Sequence, residues 1–66
     1  MVTIELGKRI RVCRQNEKLS LKELATRINI SLRGLWNIEK GYNYPSYQTA
    51  IKLKEVLPEL TFDELN

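Results

Sequence analysis

Apolar residues recur along this chain at helical spacing, and no segment alternates as a strand would between turn signals. Leu6, Ile10 and Cys13 fall at i, i+4 and i+7, which predicts a first helix over about residues 3–16. Ser20 followed by Glu23 is a capping box, and Leu19 with Leu24 brackets it as a hydrophobic staple. Leu24, Ala25 and Ile28 give the apolar side of a short second helix. Asn29, which tolerates the left-handed conformation, ends it. The pattern then repeats. Ser31 caps a third helix, Ile30 and Leu35 form its staple, Leu35 and Ile38 point inward, and Gly41 stops it. After a loop over residues 42–45, Ser46 caps a fourth helix with Tyr47, Ala50, Leu53 and Leu57 at helical spacing, and Pro58 ends it. Thr61 with Glu64 is a second capping box and Leu60 with Leu65 a third staple, which predicts a last helical turn over about residues 62–65. The expected fold is all-α: a compact bundle of five short helices.

The caps Ser20 and Ser31 lie 11 residues apart. A helix of about seven residues, a tight turn and a second helix fit between Ser20 and Gly41, which is the spacing of a helix-turn-helix over about residues 20–41. Ala25 supplies the small residue needed where the two helices touch, and Asn29 the turn.

Length allows one domain over residues 1–66, since the chain has 66 residues, of which 42% are apolar. Cys13 is the sole cysteine and there is no histidine, so neither a disulfide framework nor a zinc cage can be built, and no cofactor is expected. Without histidine or clustered carboxylates no nucleophile and base can be paired, so an enzyme is not expected. The apolar runs are too short to span a membrane, and residues 1–5 lack the pattern of a secretory leader. The expected compartment is the cytoplasm. The net charge of +3 is unevenly spread. Residues 1–40 carry nine basic and four acidic side chains, whereas residues 41–66 carry two and four. A basic first part suits a polyanion, and an acidic last part suits something else.

The chain resembles the phage Cro and repressor class of helix-turn-helix transcription factors, the xenobiotic-response-element family. The matching residues are Leu6-Gly7-Lys8-Arg9-Ile10-Arg11, Arg14, Leu19-Ser20, Glu23-Leu24-Ala25, Ile30-Ser31, Ile38-Glu39-Lys40-Gly41 and Pro45-Ser46. They span Leu6 to about Leu57 without a gap. The resemblance implies a lambda repressor-like DNA-binding domain whose third helix lies in the major groove. It also implies a buried ion pair between Arg14 and Glu39. Two positions depart from the family. Leu21 stands where a phosphate-gripping glutamine is usual, and Lys54 where a small buried residue is usual.

With Leu35 and Ile38 inward, periodicity turns Leu32, Arg33, Trp36, Asn37 and Lys40 outward. Arg33 suits the paired acceptors of guanine, and Asn37 suits adenine or a phosphate. Trp36 has three readings: contact with a thymine methyl or sugar, packing on the loop over residues 42–45, or an anchor for a protein partner. Gly34 either lets the backbone approach the groove or is a neutral surface position. Leu32, Arg33, Trp36 and Asn37 are the candidate base contacts, and Ser20, Lys22, Lys40 and Asn43 the candidate phosphate contacts. The expected partner is double-stranded DNA, bound by a homodimer on a palindromic operator as a repressor, with no membrane and no small-molecule ligand. The candidate pairing surface is the segment over residues 56–66, with Val56, Leu60 and Phe62. The rival expectation is a protein-interaction module, an antitoxin or phage adaptor, with Trp36 in its interface.

Overall fold

Four α-helices follow one another in the computed structural model, which describes residues 2–61, with side chains from Ile4 onward. They are α1 (Val2–Asn16), α2 (Leu21–Arg27), α3 (Leu32–Lys40) and α4 (Tyr47–Val56), and no strand occurs among the described residues. The all-α expectation stands, but four helices are found there where five were expected. Pro58 biases Leu57 away from helical backbone, and α4 ends at Val56. The fifth helix, expected over residues 62–65, lies outside the described residues, as do Phe62, Glu64 and Leu65.

Local chemistry sets these boundaries. The hydroxyl oxygens of Ser20, Ser31 and Ser46 accept from the backbone N–H groups of Glu23 (3.0 Å), Gly34 (2.9 Å) and Thr49 (3.2 Å). At α2 the box is complete, because the Ser20 N–H also donates to the Glu23 carboxylate at 2.7 Å. Donation from the Ser20 backbone N–H, first among the causes, and from the Ser20 hydroxyl holds the Glu23 carboxyl below its ordinary value of 4.5.

The first three helices end alike. Leu19 N–H reaches back to Arg14 O at 3.1 Å and Lys18 N–H to Gln15 O at 2.9 Å. Ile30 to Ala25 (3.0 Å) with Asn29 to Thr26 (3.2 Å), and Tyr42 to Asn37 (2.9 Å) with Gly41 to Ile38 (3.1 Å), repeat the pattern. Each is a Schellman motif, with Lys18, Asn29 and Gly41 in the left-handed region at φ 60, 60 and 84°. After Lys18 and Asn29, one apolar residue and then the next serine cap follow at once.

The core joins Leu6 and Ile10 of α1, Leu24, Ala25 and Ile28 from α2 and its cap, Leu35 and Ile38 of α3, and Leu53, Leu57 and Leu60 from α4 onward. No buried polar side chain interrupts it among the described residues. Helix α3 packs against both α1 and α2. The approach to α1 is close at Gly7, where a Cβ would lie 2.4 Å from Glu39 O and 2.7 Å from Ile38 O. Only glycine lets the two backbones come so near.

Two readings of the C-terminal part need correction, and the departure at Lys54 finds its place. Tyr47 shares helical spacing with Leu53 but is 81% exposed, because it opens α4 on the side away from the core. Leu60, assigned to a pairing surface, is 0% exposed and belongs to this chain's own core. Lys54 does not disturb α4: it stays exposed and its Nζ donates to the carbonyls of Pro58 (3.0 Å) and Leu60 (2.7 Å). It thereby closes the turn after α4 by satisfying carbonyls that no helix uses.

Candidate nucleic-acid interface

Helix α3 is held from both ends and from below. Its N-terminus is capped by Ser31, and Gly41 in the left-handed region turns the chain away at its C-terminus. Beneath it, Leu35 and Ile38 sink into the core, as their spacing required. The Arg14 guanidinium fixes the far end. Its Nε donates to Glu39 Oε2 at 2.8 Å, one terminal nitrogen to Oε1 at 3.2 Å, and the other to Leu19 O at 3.0 Å. The two side chains keep 13% and 8% of their surface, so the pair that the resemblance implied as buried is a two-point pair, part-buried. One arginine thus joins α1, the turn before α2 and the end of α3.

The outward face carries the residues that periodicity assigned to it. Arg33 and Lys40 are exposed, Leu32 is 50% exposed, and Trp36 and Asn37 are half-buried. The centre of the face is Trp36. The Arg33 guanidinium carbon lies over its ring at 5.0 Å from the centroid, and the Lys40 ammonium lies over it at 5.8 Å. The Tyr42 ring meets it edge-on at 5.6 Å and 67°. Of its three expected readings, packing on the loop that follows α3 is the one this contact shows, and Trp36 also stands on the outward face. Gly34 is accounted for by its cap: a Cβ there would meet Ser31 Oγ at 3.0 Å, so glycine leaves the capping hydroxyl room.

Leu21, in the place of the usual glutamine, is half-buried and packs against the core. It borders Trp36 on two shallow depressions. One, of about 310 Å³, is lined by Leu21, Leu32, Arg33 and Trp36. The other, of about 190 Å³, adds Arg11, Arg14, Glu39 and Lys40 around the same pair. At the rim, Ser20, Lys22 and Asn43 are exposed. The Ser20 N–H is taken by Glu23, which leaves the Leu21 and Lys22 amides as donors at the start of α2.

Sequence reasoning missed Arg11 and Gly7 as parts of this site, and placed Tyr42 only within the loop on which Trp36 could pack. Arg11 had a signal: it stands three residues before Arg14, on the same face of α1. Tyr42 and Gly7 act through what lies opposite them, which spacing along the chain does not show. Cys13 is a half-buried free thiol, and burial pushes its pKa up, away from thiolate chemistry. Among the described residues no cluster of potential ligands fits a metal, and no helix is long and apolar enough to cross a membrane.

A family model described as helix-turn-helix matches residues 10–65. The chain belongs to the helix-turn-helix family. Its class is that of the xenobiotic-response-element regulators. The chain is 38% identical over 56 residues to multiprotein-bridging factor 1 of Candida albicans, covering 85% of this chain and 37% of that protein. It is 36% identical over 53 residues to the HTH-type transcriptional regulator ImmR of Bacillus subtilis, covering 80% of this chain and 42% of that one. The chain thus spans well under half the length of these relatives. No solved structure matches it.

Proposed function

We propose that this helix-turn-helix domain is a sequence-specific DNA-binding transcriptional regulator that seats α3 in the major groove. The observation that carries this reading is the outward face of α3, where Arg33, Asn37 and Lys40 stand exposed or half-exposed on a helix fixed along its whole length. The name of the Bacillus relative, a transcriptional regulator, supports it. In this reading Arg33 bridges guanine O6 and N7, and Asn37 pairs with adenine or touches phosphate. Leu32 and Trp36 offer apolar surface to a thymine methyl or a sugar. Ser20, Lys22, Lys40 and Asn43 bind the flanking phosphates and set the register.

Dimerisation on a palindrome and repression complete the proposal. Nine residues of α3 make a helix about 13 Å long, enough to face about four base pairs. So short a site recurs too often to be specific, and a second half-site one helical turn away, about 34 Å, supplies the rest. Occupied DNA is then closed to other proteins, which is repression.

Enrichment of DNA from a random pool across a salt series tests the reading. One palindromic sequence should emerge, and its complex should weaken linearly in log–log form with salt. Binding that never prefers one sequence would refute it. A second reading, a protein-interaction module, is favoured by the apolar Leu21 and Trp36 on the same face. It would be supported by a protein that competes for this face while no DNA is enriched.

A further inference from the structure

The geometry points to Trp36 as a positioning residue that holds Arg33 and Lys40 for DNA before DNA arrives; this rests on the proposed DNA-binding reading. The two cations stand three residues before and four residues after Trp36, so both fall beside it on one helix face. Both lie over its ring, at 5.0 and 5.8 Å. Within about 6 Å of the centroid, the ring quadrupole attracts a cation.

The ring is itself held. Trp36 is half-buried, Leu21 borders it, and the Tyr42 ring packs against it in a T-shape. Tyr42 is placed by the turn after α3, where its N–H donates to Asn37 O at 2.9 Å behind the left-handed Gly41. A chain of fixed contacts therefore runs from the end of α3 back to the arginine near its start.

The arrangement suits reading as well as holding. A guanidinium over a ring uses its face for the ring and leaves its N–H edge for a base. Bidentate contact with guanine needs that edge. An exposed arginine otherwise surrenders side-chain freedom on binding, and a group held in its bound place surrenders less. At the other end of the ring, Lys40 is a point charge suited to a phosphate. Trp36 thus serves discrimination through Arg33 and affinity through Lys40, beyond any apolar contact of its own.

The test uses the full chain, the DNA site enriched from a random pool, and the same site with its essential guanine replaced. Trp36→Leu keeps apolar bulk but removes the π face. It should lower discrimination between the two sites about three- to tenfold, with the melting temperature retained. Trp36→Tyr should restore most of the loss. In an Arg33→Ala background, Trp36→Leu should cost no further discrimination. Unchanged discrimination in the leucine variant, or the same loss with and without Arg33, would overturn the proposal while leaving DNA recognition intact. A DNA-free measurement stands beside it. Proton resonances of the Arg33 side chain should be shifted upfield by the Trp36 ring and return on Trp36→Leu. Unshifted resonances would overturn the preorganisation whatever DNA does. If no sequence is enriched, the regulatory reading falls, and this role for Trp36 falls with it.

Discussion

Gly7→Ala should destabilise the domain although alanine is the better helix former. A methyl there would sit 2.4 Å from Glu39 O and 2.7 Å from Ile38 O. Nonbonded heavy atoms rest at roughly 3.5 Å, so the closest approach is about an ångström short. Both obstacles are backbone atoms of α3, which cannot rotate aside. Helix α1 must then retreat from α3 by most of that distance. A gap of this size forfeits roughly a quarter to a half of each dispersion contact along the seam, where Leu6 and Ile10 enter the core shared with Leu35 and Ile38. Overpacking costs about 1–3 kcal/mol, and more where relaxation is blocked, while alanine's propensity returns about 1 kcal/mol. With both obstacles fixed backbone the upper end applies, a net loss of up to about 2 kcal/mol, which for a domain of this size lowers Tm by up to about 8–16 °C. Thermal unfolding followed by circular dichroism measures it. Gly34→Ala is the matched control, with the same gain in propensity but only a movable hydroxyl, Ser31 Oγ at 3.0 Å, in its way. It should be close to neutral, because the shift it asks of the capping hydroxyl offsets the roughly 1 kcal/mol gained in propensity. A Gly7→Ala protein that melts with or above the wild type would refute the close-approach argument.

Glu39→Ala should cost about 3 kcal/mol in urea denaturation, the low end for a broken buried pair because both partners keep a little exposure; an unchanged midpoint would mean that the pair adds no stability. Arg33→Ala should weaken binding to the preferred DNA site by about 1–3 kcal/mol and leave random DNA nearly unaffected. Equal loss on both would make Arg33 a phosphate contact. The folded-state pKa of Glu23 is depressed, so its contribution is fully present above its unfolded value of 4.5 and is lost as pH falls through the lower folded value. The stability gap between wild type and Glu23→Gln should therefore be level above about pH 5 and shrink in acid; a gap that widens on acidification would contradict the capping-box geometry.

What was legible in the sequence was mostly what acts within a few residues. The serine caps, the box at Glu23 and the breaks at Asn29 and Gly41 each depend on a partner within about five positions, so spacing alone reveals them. The Arg14–Glu39 pair is longer in range and was reached only through resemblance to a family. Lys18 ends α1 in a left-handed conformation that its residue type does not announce, since the surrounding contacts rather than its own preference put it there. Tyr47 was misread because helical spacing gives a face but not which face the core will take. Spacing gave Trp36 its orientation and put Arg33 and Lys40 beside it, while the contacts of its ring with them and with Tyr42 show only when α3 and the following loop are seen together.

The repeated helix endings also decide where this domain can change length. Between the left-handed Lys18 and the cap Ser20 stands only Leu19, and between Asn29 and Ser31 only Ile30. Both intervening residues are packed against the core while their N–H groups close the preceding helix. An inserted residue in either link would part those two duties and turn the next helix's apolar stripe off the core. Between Gly41 and Ser46 there are four residues, and Tyr42, Asn43 and Tyr44 are exposed. Insertions should be tolerated after Tyr42 and nowhere else between α1 and α4. Growth at that point would lengthen the rim beside α3 and leave the aim of α3 itself untouched.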